Sequence, residues 1–407
     1  GHDIGSGGLI TTLLELCFSP LAPEGGIPAK EAGMKISFDG FKEKDLIKIL
    51  FSENIGVVIQ AKENAVFENK LNSNKIEFFK LGTVTENGIL DLGTEASGWT
   101  LAIPKYRDIW FETSYLLDQK QSKNGRAQAR FENYKNQVLQ YTFPAHFTGK
   151  KPEIDNSKPR PKAAIIREKG SNSEREMANA MYLAGFDVKD VHMTDLISGR
   201  ETLEDIQFIG AVGGFSNSDV LGSAKGWAGA FLYNEKAKTA LDNFFKREDT
   251  LSVGICNGCQ LFMELEVINP EHEVHGKMLH NESQKHESIF TSVKVQENNS
   301  VMLSSLAGST LGVWVSHGEG KFNLPLAEEN YNIVSKYAYE GYPANPNGSD
   351  YNTAMMCDKT GRHLVMMPHI ERSTFQWNWA NYPKDRNDEV SPWHEAFVNA
   401  RKWIEKI

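Results

Sequence analysis

Cysteine is scarce in this sequence, which contains four cysteines among 407 residues. Cys17 and Cys357 stand alone, and only Cys256 and Cys259 form a C-x-x-C motif. A four-sulfur zinc site is therefore disfavoured, because no second pair completes the coordination. Scattered single cysteines are typical of a reducing compartment, so we expect a cytoplasmic location.

Long apolar runs and basic clusters are also absent. No apolar stretch reaches 18 residues, and no positively charged segment precedes the apolar stretch at 9–18, which disfavours a membrane helix and a secretion signal. The formal net charge is −9, so neither nucleic acid nor an anionic membrane is an expected partner. With 40% hydrophobic and 24% charged residues, the chain is long enough for two or three domains.

The segment 253–260, Val-Gly-Ile-Cys-Asn-Gly-Cys-Gln, places a cysteine between two glycines. The run at 250–255 predicts a buried strand and the run at 260–265 predicts a helix, so the chain must turn sharply at Cys256. Glycines at 254 and 258 are expected to permit this turn. A thiol at its tip would lie beside the next amide hydrogen and the helix N-terminus, which stabilise a thiolate and an oxyanion. The segment therefore predicts a cysteine nucleophile elbow.

Other interpretations of Cys256 stay open. With Cys259 it could form a redox-active disulfide, although that motif normally opens a helix after the first strand of its domain, and here several strand and helix patterns come first. A free, buried cysteine is common, but it does not explain the flanking glycines. Four histidines cluster at irregular spacings, and we predict no metal site among them: His272, His275, His280 and His286.

A cysteine nucleophile needs a base, commonly a histidine that a third group orients. Two segments place a histidine two residues before a glutamate, His317 with Glu319 and His369 with Glu371. In an extended chain, residues i and i+2 project on the same side, so either pair could form an imidazole oriented by a carboxylate. Spacing alone does not decide between them.

Three segments together resemble the glutaminase domain of class I, triad-type glutamine amidotransferases. They are the elbow, Gly-Gly-Phe-Ser at 213–216 with its continuation to 222, and Pro-His-Ile-Glu-Arg at 368–372. The resemblance implies a catalytic triad of Cys256, His369 and Glu371 that hydrolyses glutamine without a cofactor. It places His317 at the rim of the glutamine pocket. It also implies a set of oxyanion and substrate contacts: Gly214, Asn257, Gln260, Ser316, His317 and Gly318.

Two positions depart from the pattern of that family. Ile370 stands where proline is usual, which should preserve the alternation of His369 and Glu371 but loosen the backbone, because proline fixes φ. Ser218 stands where glycine is usual and is expected to reshape the loop over the oxyanion site. Neither change removes a catalytic group.

Longer segments at 213–227, 316–322 and 342–349 resemble the phosphoribosylformylglycinamidine synthase family, in which one chain carries a synthetase and a glutaminase. Residues 1 to about 100 resemble the end of the synthetase region. The resemblance implies a ligase that uses ATP, magnesium and ammonia from glutamine to convert formylglycinamide ribonucleotide to its amidine. The chain has no initiating methionine and enters the synthetase pattern midway, so we expect a C-terminal part of a longer polypeptide, whose remainder is its partner.

The N-terminal portion, residues 1–105, predicts an α+β domain that resembles part of the synthetase. A glycine-rich loop at 5–8 precedes an apolar helix at 9–16. Backbone amides at such a helix start suit a phosphate, although glycine-rich loops are also common for steric reasons alone. Strands are predicted at 56–60 and 75–79.

The rest of the chain divides into two further predicted pieces. Residues 106–160 carry a helical period, then a polar stretch at 119–130 and a proline-rich linker at 152–161. Residues 161–407 alternate strands and helices, which predicts an α/β fold with a doubly wound, mainly parallel, flavodoxin-like sheet. Ligands bind at the carboxyl ends of such strands, where the elbow is expected.

Two rival hypotheses stay open. A cysteine hydrolase or peptidase of a related fold would use the same elbow, but it would not need a synthetase-like N-terminal region. A non-catalytic scaffold with a fossil site is disfavoured by the joint presence of Cys256, His369 and Glu371.

Overall fold

The computed structural model describes residues 1–19, 30–62, 65–136, 139–155, 157–339 and 341–407. The chain divides into two compact units, Gly1–Asp118 and Gln119–Ile407. Their boundary lies inside the predicted middle piece, and the division into three pieces stays a prediction. No helix in the described ranges is long and apolar enough to cross a membrane.

The first unit has the predicted α+β character. A four-stranded sheet has the order β4-β2-β5-β6, and β1 pairs with β3. Leu13, Phe38 and Leu90 are fully buried in its core. The strand predicted at 75–79 is wrong, because those residues, all of them described, belong to no strand. The elements are β1 (His2–Asp3), α1 (Gly8–Phe18), β2 (Gly33–Ser37), α2 (Leu46–Phe51), β3 (Val57–Val58), α3 (Ala65–Ser73), β4 (Gly82–Thr85), β5 (Ile89–Gly93), β6 (Gly98–Ala102) and α4 (Ile103–Gln121), which ends in the second unit.

The second unit alternates strands and helices through its first half. Its elements are α5 (Arg126–Asn133), β7 (Lys162–Arg167), α6 (Glu174–Ala184), β8 (Asp187–His192), α7 (Met193–Ser198), β9 (Phe208–Ala211), α8 (Lys225–Leu232), α9 (Glu235–Lys246), β10 (Leu251–Ile255), α10 (Asn257–Glu264), β11 (Lys277–Leu279), β12 (Glu287–Val295), β13 (Thr310–His317), β14 (Lys321–Asn323), β15 (Asn332–Tyr337), β16 (Thr353–Cys357), β17 (His363–Met366) and α11 (His394–Ile404). Short 3-10 helices lie at Tyr134–Asn136, Ser216–Asp219, Ser304–Leu306, Glu328–Asn330, Asp350–Asn352 and Gln376–Asn378.

A nine-stranded sheet organises this unit, in the order β13-β12-β15-β16-β17-β10-β9-β7-β8. The strands β7, β8, β9, β10 and β17 are mutually parallel, and their spatial order is the flavodoxin-like 2-1-3-4-5. The other four strands continue the sheet antiparallel. Because β13 and β15 run in the same direction as the five parallel strands, most strands of the sheet share one direction. The predicted mainly parallel α/β fold is confirmed.

Burial and capping fix the central strands. Every residue of β9 and β10 is buried, as expected for strands covered by helices on both faces. Helix α9 buries Leu241 and Phe244, and the Asn234 side chain caps it by accepting from the Ala237 N–H at 3.0 Å. Helix α6 ends at Gly185, whose φ of 105° is readily adopted only by glycine.

The sheet curls back on itself at its antiparallel end. Trp314 of β13 forms a β-bridge with His369, which follows β17, and the His369 N–H donates to the Trp314 carbonyl at 2.8 Å. This contact brings the edge strand β13 against the carboxyl ends of the parallel strands. Residues 316–318 therefore lie beside the elbow.

Candidate active site

Cys256 occupies the sharp turn between β10 and α10, with φ 54° and ψ −107°. This backbone is strained for a residue with a side chain, as at a nucleophile elbow. The flanking glycines permit the turn as expected, but not through a special backbone conformation, because neither has a positive φ. They allow the strand and the helix to pack closely on either side of the turn, since a Cβ at Gly258 would lie 2.0 Å from the Ala211 oxygen and one at Gly254 would lie 2.6 Å from the Gly258 oxygen. Cys256 itself carries the strain.

His369 and Glu371 follow β17 and pair with each other. His369 Nδ1 lies 2.6 Å from Glu371 Oε1, and both residues are buried. The imidazole also lies beside Cys256, since a Cβ at Gly213 would lie 2.9 Å from His369 Cε1 and 3.4 Å from Cys256 Cβ. Burial alone would lower the pKa of His369, but the Glu371 carboxylate and the Cys256 sulfur raise this pKa above its ordinary value. The protonated, positively charged form of the His369 imidazole is therefore favoured.

His317 and Glu319 do not pair, although their spacing is the same. The Glu319 carboxylate accepts from the Ser223 N–H at 3.2 Å. His317 is 2% exposed, and neither ring nitrogen makes a hydrogen bond within the described ranges. Burial, reinforced by His369 and His286, lowers the pKa of His317 to about 3, so its ring is neutral. The sequence analysis placed His317 at the rim of the pocket, whereas the structure places it inside the site.

A cavity opens beside Cys256, with about 380 Å³ of empty space when the adjoining open solvent is included. Seven predicted residues line it: Gly214, Cys256, Gln260, Ser316, His317, Gly318 and His369. The predicted residues Asn257 and Glu371 are buried behind this surface. All but one of the remaining lining residues lie in segments that carried the family resemblance, although the sequence analysis gave none of them a role: Asn172, the exception, with Phe215, Asp219, Ser223 and Arg372.

Opposite charges border the cavity. Arg372 donates from Nη2 to Asn172 Oδ1 at 2.7 Å. Burial, together with the Glu319 charge, raises the pKa of Asp219, although its carboxylate accepts a hydrogen bond from the Ser223 hydroxyl at 3.1 Å. A guanidinium and a carboxylate in one small cavity suit the two charged groups of a free amino acid.

Two backbone N–H groups lie near the thiol without an acceptor in the described part of the chain, those of Gly214 and Asn257. Gly214 has φ 119°, and a Cβ there would lie 2.6 Å from the Asn172 nitrogen, so only glycine fits. Asn257 is the first residue of α10, where the helix dipole adds positive potential. Both groups can donate to an oxyanion.

The Gln260 side chain ties α10 to the cavity wall. Its Oε1 accepts from Asn257 Nδ2 at 2.9 Å, and its Nε2 donates to the Glu319 carbonyl at 2.8 Å. The Cys256 thiol points toward the Ser316 carbonyl, with 3.8 Å between sulfur and oxygen. The elbow and the end of β13 are thereby held together.

The two departures from the family pattern have local explanations. Ser218 has φ 58°, so it adopts the left-handed backbone in which glycine is usual, at a cost of about 1–2 kcal/mol. Ile370 is fully buried, and its carbonyl accepts from the Ser373 N–H at 3.0 Å. These contacts hold the backbone between His369 and Glu371 without a proline.

Comparison with known sequences identifies the class of protein. The family described as the CobB/CobQ-like glutamine amidotransferase domain matches residues 160–404. The chain therefore belongs to this glutamine amidotransferase family.

Its relatives include proteins named phosphoribosylformylglycinamidine synthase. The chloroplastic/mitochondrial protein of Arabidopsis thaliana is 38% identical over 100% of this chain and 30% of its own length. The Homo sapiens protein is 35% identical over 99% of this chain and 32% of its own length. The Dictyostelium discoideum protein is 33% identical over 100% of this chain and 33% of its own length. The chain thus spans about a third of the relatives that it matches.

Solved structures give weaker likenesses. PurLQS from Thermotoga maritima is 23% identical, with a TM-score of 0.48 over 60% of this chain and 99% of that chain. A glutamine amidotransferase from Thermotoga maritima is 17% identical, with a TM-score of 0.36 over 53% of this chain and 77% of that chain. Neither likeness adds to the assignment.

Proposed function

We propose that this chain hydrolyses glutamine to glutamate and ammonia through a triad of Cys256, His369 and Glu371. The supporting observation is the strained Cys256 elbow beside the buried His369–Glu371 pair, whose Nδ1 and Oε1 atoms lie 2.6 Å apart. Membership in the glutamine amidotransferase family supports the same substrate.

In the proposed reaction, the Cys256 thiolate attacks the side-chain carbonyl of glutamine, and the N–H groups of Gly214 and Asn257 hold the oxyanion. Preformed donors of this kind are each worth on the order of 10²–10³ in rate. His369 gives its proton to the departing nitrogen, so ammonia leaves and a γ-glutamyl thioester forms. Neutral His369 then takes a proton from the water that attacks the thioester, and glutamate leaves. Glu371 orients the imidazole throughout.

We assign the amino-acid end of glutamine to the charged wall of the cavity. Asp219 would accept from the α-ammonium, and Arg372 would donate to the α-carboxylate. The backbone of Ser316–Gly318 and the side chain of Gln260 complete the pocket. The opposite charges of Asp219 and Arg372 on one small cavity favour a free amino acid over the extended peptide of a peptidase.

The released ammonia would serve a ligase. We propose that the intact enzyme uses it, with ATP and magnesium, to convert formylglycinamide ribonucleotide to formylglycinamidine ribonucleotide in de novo purine biosynthesis. The names of the relatives and their greater length support this proposal. The scattered cysteines favour a cytoplasmic location, although the name of the Arabidopsis relative places that protein in chloroplasts and mitochondria.

The start of α1 does not fit a phosphate of ATP. At the start of α1, where a phosphate was considered, the Gly7 N–H donates to the Glu53 carboxylate at 2.9 Å. A carboxylate in this position repels a phosphate. Among the residues described, no cluster of three or more His, Cys, Asp or Glu could hold a metal ion. We propose that ATP and magnesium are held mostly by residues of the intact enzyme that lie outside this chain.

The proposal is tested with a glutamine analogue that carries an alkylating group. We expect peptide mapping to place the label on Cys256, and excess glutamine to block it. Cys256→Ser should abolish labelling and glutamate formation. Cys259→Ala is the matched control, because burial raises the pKa of the Cys259 thiol and keeps it unreactive. Labelling at another residue, or none in the folded chain, would refute the proposal.

A further inference from the structure

His317 is a buried titratable group that the proposed mechanism does not use. It lines the cavity with Cys256 and His369, and both of its ring nitrogens lack a hydrogen bond within the described ranges. A buried polar group without a hydrogen-bond partner destabilises the fold. A cavity ligand that pairs with the imidazole would remove this destabilisation.

The position of the His317 ring is tightly controlled. Asn281 holds the backbone of this segment: its Nδ2 donates to the His317 carbonyl at 2.6 Å, its N–H donates to the Gly318 carbonyl at 2.9 Å, and its Oδ1 accepts from the Gly320 N–H at 2.9 Å. The ring lies against Gly320, where a Cβ would be 2.6 Å from His317 Nε2 and 2.9 Å from Asn347 Cγ. The imidazole therefore sits beside the Asn347 amide in one orientation.

The chemistry of this imidazole is that of a neutral donor and acceptor. With a pKa of about 3, it does not take up a proton at neutral pH and cannot act as a general base. The Asn347 side chain lies beside Nε2, and its Oδ1 atom likewise has no hydrogen-bond partner in the described ranges, so a proton on Nε2 is favoured. Nδ1 then keeps a lone pair, which can accept a hydrogen bond from a small neutral group.

We propose that His317 accepts a hydrogen bond from the amide nitrogen of glutamine and then from the ammonia that leaves. This proposal rests on the glutaminase function above. The Cys256 sulfur forms the C–S bond, the electron pair of the broken C–N bond stays on nitrogen, and His369 supplies the proton. His317 exchanges no proton, so it releases NH₃ and not ammonium. The amide nitrogen occupies the position beside His317 before any hydrolytic water can enter.

Reversing this step gives a test, because a residue that holds the leaving amine also holds an amine that attacks the thioester. The chain is incubated with glutamine and hydroxylamine, and γ-glutamyl hydroxamate and glutamate are quantified. His317→Phe keeps a ring and removes the acceptor. We expect its hydroxamate-to-glutamate ratio to fall by about tenfold, the equivalent of one hydrogen bond. His317→Gln keeps an acceptor and should recover most of the ratio.

Two controls separate this role from damage to the site. Cys256 labelling by the glutamine analogue should persist in both variants, and His280→Gln, whose side chain is 67% exposed, should keep the wild-type ratio. An unchanged ratio in His317→Phe would overturn the proposal. An equal fall of both products with thioester accumulating on Cys256 would assign His317 to the hydrolytic water instead. Failure of the wild-type chain to label at Cys256 would refute the glutaminase function itself.

Discussion

The Glu371 carboxylate sets the charge and orientation of His369 without contacting the cavity. Glu371→Gln keeps the shape of this side chain and removes its charge. The pKa of His369 should then fall, and its tautomer should no longer be fixed. We expect kcat for glutamine hydrolysis to drop by on the order of 10⁴-fold with little change in KM, as when an orienting carboxylate becomes an amide in other triads. Steady-state assays of glutamate release measure both constants.

Glu319→Gln is the matched control, because Glu319 has the same spacing from a histidine but does not pair with it. We expect a much smaller loss of kcat in this variant. An equal loss in the two variants would mean that the 2.6 Å contact between His369 and Glu371 is not the orienting interaction.

Local sequence alone did not identify which histidine pairs with a glutamate in the site. The i, i+2 spacing predicted two equivalent histidine–glutamate pairs, and the identity of the real pair depended on resemblance to a family. In the fold, tertiary contacts prevent His317 from pairing with Glu319. The Glu319 carboxylate accepts a hydrogen bond from the Ser223 N–H, and the His317 ring lies beside Asn347. Contacts of this kind join residues distant in sequence, so no local pattern reveals them.

At the scale of elements, the elbow depends on the close approach of α10 to β9. Gly258→Ala would place a Cβ 2.0 Å from the Ala211 oxygen and force the helix away. We expect a loss of about 1–3 kcal/mol in the free energy of unfolding, together with slower labelling of Cys256. Gly229→Ala, inside α8 with the nearest atom at 3.8 Å, should stabilise the chain by up to about 1 kcal/mol. Urea unfolding tests both, and wild-type stability in Gly258→Ala would contradict this packing.

The sequence predicted the parallel strands better than the antiparallel ones. Alternating apolar strands and amphipathic helices define β7 to β10 locally, and right-handed crossovers then restrict their order. The Trp314–His369 bridge, which brings 316–318 to the elbow, is a contact between distant strands without a local signal. The polar stretch at 119–130 likewise gives no local signal for the start of α5. Ion pairs of Arg126 with Glu282 and of Arg130 with Glu287 stabilise this helix.

At the scale of the whole molecule, buried neutral histidines make stability depend on pH. Burial lowers the pKa of His317 to about 3 and that of His363 and His394 to about 4. In the unfolded chain these groups bind protons below about pH 6.5, whereas the folded chain excludes them. Stability should therefore fall as the pH drops from about 6.5 toward 4, by about 1.4 kcal/mol per histidine per pH unit.

His369 acts in the opposite direction, because its folded-state pKa is raised. Its contribution is complete below about pH 6.5 and is lost as the pH rises, so it adds no slope between pH 6 and 5. The free energy of unfolding should thus have a maximum near neutral pH. His394→Phe should remove about a third of the acid slope measured by urea unfolding at several pH values, and the surface variant His280→Gln should keep it. If His394→Phe retained the full slope, acid sensitivity would arise from groups other than these histidines.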